Sequence, residues 1–256
     1  MSNKIVLITG ATSGIGEASA KLLAKYKFKL IVCGRRKERL KRLVKQLGKQ
    51  TDIISLSFDV RNKDEVSSSF STLPGHWNDI DILINNAGNA HGLAPVQSGN
   101  LDDWDAMIDI NVKGLLYVTR AVLPGMVEKS SGHIINIGSI AGKEVYPNGN
   151  VYCASKHAVD AINNGMRIDL IAYGIKVSQI NPGLVETEFS QVRFKGDKAR
   201  SAAVYKGFQP LVAADIANLI HFIITRPAHV NISDMVVLPL AQANATIVKK
   251  DTIIMR

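Results

Sequence analysis

Thr9-Gly10-Ala11-Thr12-Ser13-Gly14-Ile15-Gly16 closes an apolar run, Lys4 to Ile8, and opens directly into a helical segment, Gly16 to Tyr26. Its glycines stand where a backbone must turn tightly beside a phosphate. The N-terminus of the helix that follows presents free N–H groups and the positive end of a dipole, which suits a pyrophosphate. A glycine-rich turn after a strand is a weak signal by itself, so the weight falls on what surrounds it.

Outward from that turn, short β-branched runs alternate with helical segments. Strands are expected at Lys4 to Ile8, Lys29 to Cys33, Ile53 to Phe58, Ile80 to Ile84, His133 to Ile137, Lys176 to Ile180 and Met235 to Leu238. Between them, helices are expected at Arg35 to Lys49, Lys63 to Thr72, Leu101 to Lys129, Val151 to Tyr173 and Ala213 to Thr225. This βαβ rhythm predicts an α/β protein of the Rossmann type, a doubly wound seven-stranded parallel sheet with helices on both faces. The strands are apolar throughout, as required when helices cover both sides of a sheet. No linker, repeat or composition shift divides the 256 residues, so one dinucleotide-binding catalytic domain over 1–256 is expected. The polar stretch Glu186 to Gln209 reads as a helical lid, and 241–256 as a tail that packs on a neighbouring subunit.

Bulk properties narrow the class. A hydrophobic fraction of 46% with 21% charged residues is ordinary globular composition, and no apolar run reaches the roughly 18 residues of a membrane span. Met1 to Thr9 runs straight into a strand without the parts of a signal peptide, so a cytoplasmic protein is expected. Two cysteines, Cys33 and Cys153, stand far apart, and the six histidines show no ligand spacing; neither a disulfide framework nor a metal site is predicted. Much of the net charge of +9 comes from Arg35 to Lys49, with eight Lys or Arg against Glu38. Leu40, Leu43, Val44 and Leu47 repeat at helical spacing there, so the body of this helix reads as a solvated basic face rather than a nucleic-acid surface.

Further motifs follow in order: Asp59-Val60 after the third strand, Asn85-Asn86-Ala87-Gly88 after the fourth and Asn111 in the long helix. Ser139 follows the fifth strand, Tyr152-Cys153-Ala154-Ser155-Lys156 opens the next helix, and Asn181-Pro182-Gly183 follows the sixth strand. With the G-x-x-x-G-x-G spacing of Gly10, Gly14 and Gly16, these resemble the short-chain dehydrogenase/reductase family over essentially the whole chain. The resemblance implies that the turn, with Thr12, Ser13 and Ile15, holds the pyrophosphate. It also implies that Asp59 and Val60 contact adenine, that Asn86, Ala87 and Gly88 line the cleft, and that Thr187, with Pro182, Gly183 and Val185, holds the nicotinamide end. Asn86 has a second reading, a turn-forming amide tying neighbouring strands. The second strand ends in Gly34-Arg35-Arg36 rather than the acid that reads a 2′-hydroxyl, and two guanidiniums there favour the 2′-phosphate of NADP(H). The plainer alternative is that both only begin the basic helix.

Tyr152 and Lys156, four apart on a helix, share one face and can act together. A free phenol has a pKa near 10, and an adjacent ammonium with a bound nicotinamide is expected to depress it by about two to three units. Tyr152 is then the proton-transfer residue, Ser139 holds the substrate oxygen, Lys156 also holds the nicotinamide ribose, and by resemblance Asn111 supports a water connecting Lys156 to solvent. Cys153 reads as a packed small hydrophobe.

Within the family, Asn86-Ala87-Gly88-Asn89-Ala90, Tyr146 to Tyr152, Glu188 to Asp197 and Pro227 to Ile232 resemble the NADP-dependent 3-hydroxy acid dehydrogenases, which act on serine-like compounds and reduce malonic semialdehyde. Arg193 is the expected clamp for a substrate carboxylate, with Lys195 a weaker candidate and Glu186 a candidate for a substrate amine. Solvated lid charges are the other reading of these residues. Family members are commonly tetramers, so a homotetramer is expected, with no nucleic-acid or membrane partner. The rival functions are a carbonyl reductase for neutral ketones and a non-catalytic NADP sensor.

Overall fold

The computed structural model describes residues 3–251. In chain order it contains β1 (Ile5–Ile8), α1 (Gly14–Lys25), β2 (Lys29–Gly34), α2 (Lys37–Leu47), β3 (Ile53–Ser57), α3 (Lys63–Ser71) and β4 (Ile80–Asn85). Then follow α4 (Leu101–Ile108), α5 (Leu115–Glu128), β5 (Gly132–Ile137), α6 (Asn150–Leu170) and β6 (Ile175–Pro182). The last group is β7 (Val185–Glu186), α7 (Phe189–Arg193), α8 (Lys198–Tyr205), β8 (Leu211–Val212), α9 (Ala213–Ile224) and β9 (Asp234–Val237).

Seven of these strands form one parallel sheet in the order β3-β2-β1-β4-β5-β6-β9, so all seven expected strands are found. Successive strand residues point to opposite faces. Val6, Ile8, Leu30 and Val32 join Leu23, Leu43 and Ile220 of α1, α2 and α9 in one core. Ile5, Leu7, Ile31 and Cys33 join Val66, Val118 and Leu170 of α3, α5 and α6 in the other. Fully burying each such aliphatic side chain stabilises by about 1.5–3 kcal/mol, which is why strands between two cores are rich in apolar residues. The polar side chains buried in β4, β5 and β6, Asn85, Asn136 and Ser178 among them, are hydrogen-bonded. The basic helix α2 buries Leu40, Leu43 and Leu47 and turns most of its charges outward.

The long helix expected from Leu101 to Lys129 is interrupted. Residues Asp109–Gly114 form a π-helical turn between α4 and α5, and Asn111 lies in it. One extra residue in the turn shifts the facing of everything after it, and such turns concentrate at functional sites. Two local demands sit there. Gly114 packs so close to Val60 that a Cβ would stand 2.7 Å from its Cγ2, and Asn111 reaches inward to the chain at Asn89.

The lid stretch is helical, with α7 and α8 standing between the short parallel strands β7 and β8, a pair the periodicity did not suggest. The described part of the tail folds back on its own chain: Gln242 Oε1 accepts from Leu184 N at 2.9 Å, and Asp251 N donates to Gly207 O at 2.7 Å. Residues 252–256 of the expected 241–256 tail lie outside the described residues. Among the described residues, no helix is long and apolar enough to cross a membrane.

Candidate active site

A cleft of about 470 Å³ opens over the C-terminal ends of the strands, where the order reverses between β1 and β4. Crevices at such switch points are where open parallel sheets bind ligands. Every residue expected to touch a cofactor lines it except Gly16. Gly10 and Gly14 carry φ of +66° and +52°, conformations that side chains resist. Gly16 works from behind the wall. A Cβ there would lie 2.5 Å from both Gly10 O and Asn86 Nδ2, so its absence lets α1 sit directly against the turn.

Asn86 Nδ2 donates to Thr9 O at 2.9 Å and to Gly10 O at 3.3 Å, tying the end of β4 to the turn, as its second reading had it. Ser13, the residue capping α1, makes no side-chain bond to the helix, and its hydroxyl instead accepts from Arg36 Nη2 at 2.6 Å. The N–H groups of the first turn of α1 thus keep their capacity for an external acceptor. Left-handed glycines, an uncapped helix start and guanidiniums at the β2 end together fit a phosphorylated dinucleotide.

Both arginines after β2 are engaged by carboxylates. Arg35 Nη1 meets Asp59 Oδ2 at 3.3 Å, and Arg61 also binds Asp59. Burial raises the Asp59 pKa, but bonds from Arg61 and the charges of Arg35 and Arg61 outweigh it and hold the carboxyl below its usual range. Arg36 Nε donates to Thr12 Oγ1 at 2.9 Å and its Nη1 to Glu188 Oε2 at 2.8 Å. Arg39 Nη1 grips the same carboxylate at 2.7 and 3.0 Å. Arg39, Arg61 and Glu188 were not foreseen. Arg39 sits three residues after Arg36, a helical spacing that could have been noticed, whereas nothing local to Glu188 points back to α2.

At the other end of the cleft, Tyr152 is 8% exposed in the first turn of α6, with Lys156 one turn on. The Lys156 ammonium donates to Ile137 O at 2.9 Å, and its burial lowers the pKa to about 8. Asn111 Nδ2 donates to Asn89 O at 2.8 Å and to Ser155 Oγ at 2.9 Å, while its Oδ1 accepts from Asn89 N. Asn111 therefore lies behind the wall rather than in it, joining α6 to the loop after β4. The oxygen of Ser139 accepts from Ala141 N at 3.1 Å, and its hydroxyl acts on the Tyr152 phenol to lower its pKa.

Burial raises the Tyr152 pKa above the ordinary value, against the lowering effects of the Arg193 charge and of the Ser139 hydroxyl. The cation acting on the phenol in this structure is Arg193, because the Lys156 ammonium is directed to Ile137 O. The Arg193 guanidinium lies 4.8 Å from the Tyr152 ring centre and 5.1 Å from that of Phe189, and it donates through Nη2 to Tyr146 Oη at 2.7 Å. Its Nε is buried with no hydrogen-bond partner among the described residues. Arg193 is thus no solvated lid charge.

The other two substrate candidates are elsewhere. Lys195 pairs with Asp103 at 3.0 Å outside the cleft wall. Glu186 is exposed and does not line the cleft, although its neighbours Val185 and Thr187 do. Tyr146 and Phe189, which hold Arg193 and edge the Tyr152 ring, were missed as site residues.

A parallel doubly wound sheet with a dinucleotide crevice and a Tyr–Lys pair beside it defines the class, a Rossmann-fold oxidoreductase. A model of the short chain dehydrogenase family matches residues 4–198, and the chain belongs to that family. It is 46% identical over 242 residues to "NADP-dependent 3-hydroxy acid dehydrogenase YdfG" of Escherichia coli (strain K12), covering 94% of this chain and 97% of the relative. It is 45% identical over 240 residues to "Sulfoacetaldehyde reductase 2" of Chromohalobacter salexigens, covering 93% and 95%. Among solved structures, the closed form of serine dehydrogenase complexed with NADP+ is similar at TM-score 0.91 and 44% identity, covering 97% of this chain and 100% of that one.

Proposed function

We propose that this protein is an NADP-dependent oxidoreductase acting on a small 3-hydroxy acid of the serine, allo-threonine or 3-hydroxypropionate type, or on the matching semialdehyde. The observation that carries the substrate class is Arg193, a guanidinium against the Tyr152 ring with a buried unpaired Nε. The substrates named for the relatives, a 3-hydroxy acid, serine and sulfoacetaldehyde, each place an acid group one carbon from the reacting carbon. A small molecule of that shape can give its acid to Arg193 and its oxygen to Tyr152 together.

In this reading Gly10, Thr12, Ser13, Gly14 and Ile15 would hold the pyrophosphate, with Gly16 behind them. Arg35 and Arg36 would take the 2′-phosphate, and Asp59 and Val60 the adenine. Asn86, Ala87 and Gly88 would form the wall, Lys156 would take the nicotinamide ribose, and Pro182, Gly183, Val185 and Thr187 the nicotinamide end. The bound cofactor supplies the hydride acceptor in oxidation and the donor in reduction. Ser139 and Tyr152 hold the substrate oxygen. As the hydroxyl becomes a carbonyl, the Tyr152 phenolate takes its proton; in reduction the phenol returns it. Arg193 favours the phenolate and orients the acid, and Asn111 keeps α6 in register with the loop after β4.

Residues 1–256 would act as one catalytic domain whose lid spans about 186–209. We infer a homotetramer without nucleic-acid or membrane partners, supported by exposed Leu116 on α5 and by Ile168 and Ile171 at the end of α6; sedimentation would show a smaller particle if this is wrong. The reading of function is tested with serine, 3-hydroxybutyrate and a neutral alcohol, each with NADP and NAD, on the wild type and Tyr152→Phe. Fast turnover of the acids with NADP, nearly abolished in the variant while NADP still binds, is expected. Preference for the neutral alcohol would favour the carbonyl-reductase alternative.

A further inference from the structure

The carboxylate of Glu188 occupies Arg36, one of the two guanidiniums assigned to the 2′-phosphate, together with Arg39. It accepts from Arg36 Nη1 at 2.8 Å and from Arg39 Nη1 at 2.7 and 3.0 Å, so two cations from the start of α2 converge on one anion. The same Arg36 binds Thr12 and Ser13 of the glycine turn, and Arg39 Nη1 also reaches Thr12 O at 3.4 Å. Two guanidiniums converging on one anion, one of them braced by the hydroxyls of Thr12 and Ser13, make a phosphate-type receptor. All three charged side chains are about 40% exposed, so exchange of one anion for another requires no unfolding.

We propose that Glu188 is an internal competitor for the 2′-phosphate of NADP, and that Arg39 is a third phosphate-binding guanidinium beside Arg35 and Arg36. The proposal rests on the NADP reading above. With Glu188 in place, a 2′-phosphate gains Arg36 and Arg39 only by displacing a carboxylate that then stays close as a like charge. NAD, which has no 2′-phosphate, leaves the three-residue contact intact. Glu188 thereby sets how tightly NADP is held and how large its advantage over NAD is. The position also joins two functions, since Glu188 stands between Thr187, which packs on Gly14, and Phe189, which edges the Tyr152 ring.

The test measures dissociation constants of NADP+, NAD+ and 2′-AMP by calorimetry on the wild type, Glu188→Gln, Glu188→Ala and Arg39→Ala, with thermal melts as a check of folding. Both Glu188 variants should bind NADP+ and 2′-AMP about three- to tenfold more tightly, as expected when a partly exposed ion pair no longer competes. NAD+ affinity should move less than twofold. Arg39→Ala should weaken NADP+ and 2′-AMP by a similar factor and spare NAD+. Unchanged or weaker NADP+ binding in both Glu188 variants overturns the proposal, since the carboxylate would then only preset the arginines. A wild type that binds NAD+ as tightly as NADP+ overturns the NADP reading and the proposal with it, a result visible before any variant is made.

Discussion

Replacing Arg193 by Met removes the charge at nearly constant volume and separates its two effects. Charge-assisted hydrogen bonds contribute about 1.5–3 kcal/mol each, and deleting one partner of a desolvated, hydrogen-bonded charge pair costs about 2–5 kcal/mol. A loss of about 3–4 kcal/mol in transition-state binding of an acid substrate is roughly a hundred- to thousandfold in kcat/KM. Arg193 also acts on the phenol. With the guanidinium 4.8 Å from the Tyr152 ring centre, an effective dielectric near 20 caps that attraction at about 3.5 kcal/mol. The second effect falls on every substrate alike, so the ratio of kcat/KM for 3-hydroxybutyrate to that for a neutral alcohol cancels it. That ratio should drop roughly a hundredfold or more in Arg193→Met, with NADP affinity kept. A ratio that moves less than threefold would show that Arg193 serves Tyr152 alone and that the acid is bound elsewhere.

Gly138→Ala should destabilise by about 1–3 kcal/mol in urea titration and reduce turnover further, because its Cβ would fall 2.0 Å from Asn181 Oδ1, the acceptor that holds Ser139 N. Asn86→Ala should cost about 1–3 kcal/mol in the same titration by leaving the carbonyls of Thr9 and Gly10 short of a donor, with a weaker cofactor site as the accompanying sign. Lys156 carries a pKa lowered to about 8 by burial, so between that value and the usual lysine range the unfolded chain binds the extra proton and stability rises with pH. Unfolding of the wild type compared with Lys156→Met at pH 7, 8.5 and 10 should show the wild type gaining on the variant by roughly 1–3 kcal/mol as pH rises; a constant difference would mean the ammonium is well solvated.

The sheet was legible because its strands lie between two cores, which leaves most positions apolar and makes each strand visible as a short β-branched run. The glycine turn and the Tyr152–Lys156 pair were legible for a similar reason, since each is a local arrangement with local spacing. The π turn at Asp109–Gly114 was not. One added residue hardly disturbs the apolar pattern of a helix that is buried along much of its length, and what demands it, the contacts of Asn111 with Asn89 and Ser155, lies 22 and 44 residues away. The Glu188 contact with Arg36 and Arg39 spans 152 and 149 residues, so no window of the chain contains both partners. Arg193 was readable as a cation in a lid, but its orientation was not, because the aromatic cage of Tyr146, Tyr152 and Phe189 forms only when α6 and α7 meet.

Those two arginine sites differ in a way that bears on how the cleft works. Arg36 and Arg39 face a carboxylate from their own chain, so the end of the cleft proposed for the 2′-phosphate carries a neutralising anion already. Arg193 has no carboxylate partner among the described residues and is surrounded by ring faces and one phenol oxygen. Rings stabilise a cation by about 0.5–2 kcal/mol, less than an opposing charge in the same surroundings, so an incoming acid gains most at Arg193. Glu188 and Arg193 lie five residues apart, at the start and end of α7. One short helix therefore presents an anion to the side proposed for the 2′-phosphate and a cation to the Tyr152 ring, and any shift of α7 on cofactor binding must move the Arg193 guanidinium with it.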